Sequence, residues 1–461
     1  MSAIVTTTLR LKNASILKGT FQDTANSLYL FVSKPTSWTD DSIPSSPTDS
    51  GLFEKMVRDE MITLRKISPT EITQSIFRID WQPNQYYDMY RDDYDGVTLN
   101  GTDLTSGTAV TRNGLINANF YVVTDEYNVY KCIDNSNRAI STVKPTGTGT
   151  SIFTTSDGYR WKYMFSVNSA DALKFASTNF VPVQSFTVNP GSSSPYYNQY
   201  LTQTSAVPGK IDVIEIKVAG NGYTPNTTLP ISIVGDGTGA TATATTDGAG
   251  EIIGVSITNG GSGYTYAYAT VTGTYATPSQ LNVIMPPTGG HGADPVKELN
   301  AVYVTVSGSI GDDLSDDTLK DNEYRVIGLI LNPFQYGTVN ILTSQTANAL
   351  KVIGISGGIS GTFTNDENLI SSGTPTNRGQ FVTYNYTLNT LKYIRNKQNI
   401  GADFTVGQTV TGGSSGATGV ITSIINPEVD TSTGEILYVE TRRPIFRSVS
   451  QKEEMRITIE T

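Results

Sequence analysis

Short runs of β-branched and aromatic residues recur along the chain, cut every few positions by glycine, proline, asparagine or aspartate, and this texture leaves little room for long helices. Leu28, Leu30 and Val32 alternate with Tyr29, Phe31 and Ser33, so this strand is mostly apolar on both faces and is expected to be buried on both. Residues 76–81 (IFRIDW) read as a strand, and 120–133 (FYVVTDEYNVYKCI) as two strands turning through DEYN. In residues 158–167 the side chains of Tyr159, Trp161, Tyr163 and Phe165 share one face, which predicts packing against a sheet or a partner. Residues 299–306 and 324–331 have the same texture. So do 435–440 and 455–460, which flank a basic stretch read as a turn. One segment differs. Asp49 or Ser50 can cap a helix over 49–66, with Leu52, Met56, Met61 and Leu64 near one face as core. The predicted fold class is mainly β: a multi-domain β-sandwich-like body with one or two short helices and two inserted small β-modules.

An internal repeat marks the first insert. IDVIEIKVAGNGYT (211–224) aligns with IIGVSITNGGSGYT (252–265), and Tyr223 and Tyr264 are 264 − 223 = 41 residues apart. Each copy reads strand, glycine turn, strand. Two copies are too few for a solenoid, which needs at least three, but they can complete one module by packing together. The chain of 461 residues is long enough for about three domains. Its segments read as 1–190 (core, first part), 207–285 (insert with the repeat), 290–350 (core, second part), 351–432 (a second Gly/Thr-rich β insert) and 433–461 (core, C-terminal strands).

Composition removes much of the chemical menu. One cysteine (Cys132) and one histidine (His291) allow neither a disulfide framework within the chain nor a Cys/His zinc site. The 32 Lys and Arg against 42 Asp and Glu give a net charge of −10, which argues against a grip on nucleic acid. No apolar run reaches a membrane-spanning length, and MSAIVTTTLRLKN lacks a secretory pattern, so synthesis in a cytosol is expected.

Isolated motifs fare no better. Gly412, Ser414 and Gly416 satisfy G-x-S-x-G, but the strand-to-helix context and a later histidine are missing, and a polar turn is expected. His291 sits among glycines with Asp294 close in sequence, and reads as a locally bonded loop residue. The acidic runs at 312–323 and 92–96 read as solvated loops, since EF-hand spacing fails. GDGTG (235–239) lacks the helix and lysine of a phosphate cradle. Cys132 lies in an apolar strand and reads as inert core. Arg442, Arg443 and Arg447 form the one compact basic cluster, a candidate docking edge for an acidic partner.

Seven motifs then line up in chain order: NSLYLFVSKPTSW (26–38), PTDS (47–50), FRIDW with YYDMY (77–81, 86–90), VYKCID (129–134), SDGYRWKYMFSV (156–167), YRVIGLILNP (324–333) and GEILYVETRRPIFRSVSQKEE (434–454). Together they resemble the baseplate wedge subunit, the gene product eight family, of T-even-type contractile-tailed phages. The resemblance covers roughly 1–185, 295–345 and 433–461, and leaves out the two inserts. It implies a structural, non-enzymatic virion protein of the tail baseplate, made in the host cytoplasm, with no catalytic, cofactor or metal residues to carry over. The partners it implies are a second copy of the chain and the counterparts of gene products seven, ten and six, with neither nucleic acid nor membrane. Trp38, Trp81 and Trp161, and Arg442, Arg443 and Pro444, fall in matching motifs and are the candidate interface residues. The alternative is a tail protein that binds host-surface glycans or fibres through its Tyr- and Gly-rich inserts.

Overall fold

The computed structural model describes residues 4–311, 322–372, 376–395, 401–448 and 451–461. It is mainly β, with 40% strand and 11% helix. Five α-helices occur among the described residues, against the one or two expected. None is long and apolar enough to cross a membrane. The chain divides into two compact units, one made of Met1–Ile16, Thr73–Thr305 and Thr458–Thr461, the other of Leu17–Ile72 and Val306–Ile457.

The first unit is organised around an antiparallel sheet of the strands Tyr121–Val123, Asn128–Asp134, Arg160–Ser166 and Phe153–Thr154, in that order. The DEYN hairpin closes on Tyr127, whose φ of 59° is the left-handed conformation such a tight turn needs. Trp161, Tyr163 and Phe165 are buried together with Tyr87, Tyr130 and Met164 in the largest core of this unit. Trp161 stacks on Tyr159 at 5.4 Å and meets Tyr87 edge-on at 6.1 Å. The predicted strand 76–81 lies earlier, at Ile72–Phe77, where it pairs with Phe180–Val183.

Residues 211–285 of this unit carry a separate core, holding Ile211, Ile214, Tyr223, Ile252 and Tyr264. A four-stranded sheet (Ile252–Ser262, Thr238–Thr246, Thr228–Gly235, Ala267–Val271) accompanies a two-stranded ribbon of Val213–Val218 with Gln280–Ile284. The two repeat copies complete each other. Gly209, just before the first copy, accepts a hydrogen bond from Tyr264 N at 3.3 Å; Gly250, just before the second, accepts one from Tyr223 N at 3.2 Å. Both glycines have positive φ, 64° and 73°, and a Cβ on either would lie 2.2 or 2.3 Å from the facing tyrosine backbone. Ile211 N donates to Gly260 O and Ile252 N to Ala219 O, again an exchange between equivalent positions. Neither copy can seat its own tyrosine, so the pair is the smallest unit that closes.

The second unit has a five-stranded antiparallel sheet in the order Thr346–Asn348, Met61–Lys66, Leu28–Ser33, Asn322–Leu331, Glu435–Arg447. All six residues of Leu28–Ser33 are buried, as their two-faced apolar pattern predicts. Phe31 faces Gly328 across the strands, and a Cβ there would sit 2.2 Å from its ring. The predicted 49–66 helix is corrected: the helix is Gly51–Asp59, and Met61–Lys66 is a strand. Ser50 caps the helix by accepting from Phe53 N, and Glu60 ends it. Of the predicted apolar face, Leu52 is 81% exposed, whereas Met61 and Leu64 are buried from the strand. A helix over Thr7–Gln22 is absent from the sequence expectation, because Leu9 and Ile16 are exposed and its apolar residues form no stripe.

Residues 351–425 of the second unit form a closed six-stranded barrel: Lys351–Ile355, Thr390–Ile394, Asn377–Asn385, Asn368–Ile370, Thr409–Gly412 and Thr418–Ile425. Ile353, Leu369, Leu391, Tyr393, Phe404 and Val410 fill it. Closure leaves none of these six strands with an open edge.

Candidate interface on an edge strand

Glu435–Arg447 is the last strand of its sheet and is hydrogen-bonded within it on one side only, to Asn322–Leu331. The basic stretch read as a turn is corrected here: Arg442, Arg443 and Pro444 lie inside this continuous 13-residue strand. Val326 pairs with Thr441 and Tyr324 with Ile445, so these three residues bulge opposite Arg325 alone. A bulge carrying proline and two arginines is a common way to keep an edge strand from pairing indiscriminately.

The bulge rests on a buried charge. Arg325 is 2% exposed in the midst of YRVIGLIL. Its guanidinium donates to both Asp41 oxygens at 2.7 Å, to Glu323 at 2.7 Å and to the Pro35 carbonyl at 2.9 Å. Burial works against this charge, but the hydrogen bonds and negative charges of Asp41 and Glu323 together outweigh it and hold the guanidinium proton more tightly than usual. The same hydrogen bonds hold Asp41 below the ordinary carboxylate range. Asp41 also accepts from Trp38 N at 2.8 Å, which sets the indole. Trp38 Nε1 then donates to Arg442 O at 3.0 Å, and Lys34 Nζ lies 4.5 Å above the ring. Arg443 Nε donates to Ser42 O at 3.0 Å, and Arg442 pairs with Glu440 at 2.8 Å. Leu437 and Phe446, 38% and 53% exposed, lie on the same strand. A pocket of about 250 Å³ runs between Ile436–Val439 and the segment Pro47–Ser50. The whole arrangement can present an extended backbone edge, two guanidinium groups and apolar side chains to another chain.

Of the candidate interface residues, Trp38, Arg442, Arg443 and Pro444 are thus brought together. Trp81 is in the first unit, half-buried, its Nε1 donating to Ser141 Oγ at 3.2 Å. Trp161 is corrected to core: at 0% exposure it offers no surface to a partner. Arg447 is likewise withdrawn from the basic cluster, because it is buried and paired with Glu453 at 2.5 Å. Arg325 and Asp41 were missed by sequence reasoning. The available signal was a lone arginine in an apolar strand, which demands a carboxylate.

The remaining motifs are occupied structurally. Ser414 and Ser415 each donate through both N and Oγ to the Glu367 carboxylate, at 2.7 to 3.0 Å, so G-x-S-x-G is a turn pinned by an acid. Asp294 caps a short helix and accepts from Ser185 Oγ at 2.5 Å. Asp236 accepts from Thr265 and Tyr266, which ties GDGTG to the second repeat copy. Asp93 binds Arg91 at 2.6 Å, and Asp95 closes its own turn through Thr98. Cys132 is buried, and burial pushes its thiol pKa well up. Asp312, Asp313, Asp316, Asp317 and Asp321 lie outside the described residues. Comparison with known protein families and with characterised proteins returns no match.

Proposed function

We propose that the chain is a wedge subunit of a contractile phage tail baseplate. It is a non-enzymatic virion component that pairs with a second copy and links the counterparts of gene products seven, ten and six during assembly and rearrangement. The observation that carries the reading is where the resembling motifs lie. NSLYLFVSKPTSW, YRVIGLILNP and GEILYVETRRPIFR are about a hundred to three hundred residues apart, yet their strands are consecutive neighbours in one sheet: Leu28 pairs with Leu331, and Leu331 with Glu435. VYKCID and SDGYRWKYMFSV are likewise adjacent strands. Resemblance that includes strands paired with one another supports a shared packing unit rather than a shared composition. The bulged edge at Arg442–Pro444 is its docking element.

Gradient sedimentation of an infected-cell lysate, with the chain followed by antibody, tests this. Co-migration with tails or baseplates is expected; a wholly free pool absent from particles overturns it. A second reading, glycan or fibre contact, is favoured by Tyr266 and Tyr268, which are 52% and 70% exposed with ring centroids 6.1 Å apart. Phage carrying both Tyr→Ala changes should then adsorb less well with tails intact. Unchanged adsorption removes that reading.

A further inference from the structure

The first unit contains a cavity of about 330 Å³ whose wall gathers Arg160, Lys162, Lys210 and His291, with Asp212 the one carboxylate among its lining residues. The backbone explains the clustering. Arg160 and Lys162 are two apart on one strand and share the face opposite Trp161, which points into the core. On the neighbouring strand Lys131 stands directly across from Lys162. Two lysines in register repel each other unless other charges offset them.

Lys131 is offset, because it is fully buried in an ion pair with Glu298, whose carboxylate also accepts from Gly292 N at 2.9 Å and Asp294 N at 3.0 Å. Among the described residues Lys162 has no such partner. It is 5% exposed, and its ammonium donates to the Thr150 carbonyl. Gly292, at φ 97°, leaves room for its stem; a Cβ there would lie 2.7 Å from Lys162 Cε. Burial and the Lys131 charge pull the Lys162 pKa down to about 8. Lys210 leans on Asp212 at 2.9 Å, and Arg160 reaches its nearest carboxylate, Asp134, only at 4.0 Å. The wall thus carries three cations against one anion, a local +2 in a chain of net −10. His291 is 7% exposed and its Nδ1 has no hydrogen-bond partner among the described residues. A surplus of positive charge and a buried ring nitrogen lining one polar cavity suit an anion.

We infer that this cavity is a binding site for a phosphate group, held by the Lys162 ammonium, the Arg160 guanidinium and Lys210, with the hydroxyls of Thr150, Ser151 and Ser205 at its rim. A guanidinium beside an ammonium suits a tetrahedral dianion, which takes several charge-assisted hydrogen bonds at once. The site is built wholly from the first unit and does not depend on the baseplate reading.

The test is calorimetric titration of the full chain with inorganic phosphate, against sodium chloride at matched ionic strength. Saturable binding to phosphate alone is expected, and Lys162→Met and Arg160→Gln should each weaken it at least tenfold. Lys162→Met removes an unpaired buried charge, so it should melt no lower than the parent without phosphate, which separates lost binding from lost folding. Glycerol phosphate distinguishes the source: tighter binding than the free ion identifies a phosphomonoester, equal or weaker binding the free ion. A phosphate response no greater than that of chloride, or unchanged affinity in both variants, overturns the site.

Discussion

Glu367→Gln should loosen the barrel at neutral pH and do so much less in acid. Glu367 is 6% exposed and accepts five hydrogen bonds, from N and Oγ of Ser414 and Ser415 and from Thr364 N at 2.7 Å. Burial alone would lift its pKa, but these donors outweigh it and bring the group from 4.5 to about 2. The folded pKa is therefore depressed, so the stability it confers is complete above the unfolded value near 4.5 and is lost as pH falls through the folded value. At about 1.36 kcal/mol per pH unit the full contribution is about 3 kcal/mol at pH 7, falling to about 1.4 kcal/mol at pH 3. Glutamine keeps one acceptor oxygen and turns an amide toward a cluster that includes three backbone N–H groups, which can only donate. Hydrogen exchange of peptides from 351–425, measured in the full chain, reads the difference as local opening. Exchange in the variant should be about a hundredfold faster at pH 7 and about tenfold faster at pH 3. An equal ratio at both values, or none, would refute the carboxylate's role as the pin of this turn.

Three further outcomes follow from the geometry. Gly250→Ala forces a side chain onto a positive φ and against the Tyr223 backbone, so exchange protection across 211–285 should fall by about 2 kcal/mol. Gly254→Ala, with open space around it, is the control and should change nothing. Asp41→Asn leaves the buried Arg325 with Glu323 as its only carboxylate among the described residues, and should cost about 3 kcal/mol in chemical denaturation while freeing Trp38 to change its fluorescence. Truncation after Glu440 strips Thr441–Arg447 from Asn322–Val326, removes the strand Glu453–Glu460 as well, and should abolish incorporation into tail particles; normal particle content in that truncation contradicts the docking role of the edge.

What could be read from the residues depended on whether the pattern was local. Leu28–Ser33 announced two buried faces because every position is apolar or small, and the 121–134 hairpin because a polar four-residue break separates two apolar runs. The 49–66 segment misled because Met56, Met61 and Leu64 fit a helical spacing until Glu60 ends the helix; a short apolar run such as MITL belongs equally to a strand. The stretch Thr441–Pro444 looked like a turn because proline and paired arginines usually mark one, whereas continuity comes from pairing with Asn322–Leu331, more than a hundred residues away. The site behind it was equally non-local: Arg325 finds Asp41 across 284 residues. Trp161 was correctly placed on a packed face by alternation, and was assigned to an interface only through the resemblance. The cationic cavity was invisible, because Lys131 and Lys162 become neighbours only through strand register.

The reciprocal repeat has a genealogical consequence. Its first strand, Val213–Val218, and its last, Gln280–Ile284, are hydrogen-bonded to each other, with Val213 opposite Ile284. The polypeptide therefore enters and leaves the module through points about 5 Å apart. A duplicated cassette with coincident ends is a natural unit to gain in one recombination event, and what ties it to its host is a short set of polar contacts, Glu215 with the buried Arg91 at 2.9 Å and Asn282 with Asp93 at 3.0 Å among them.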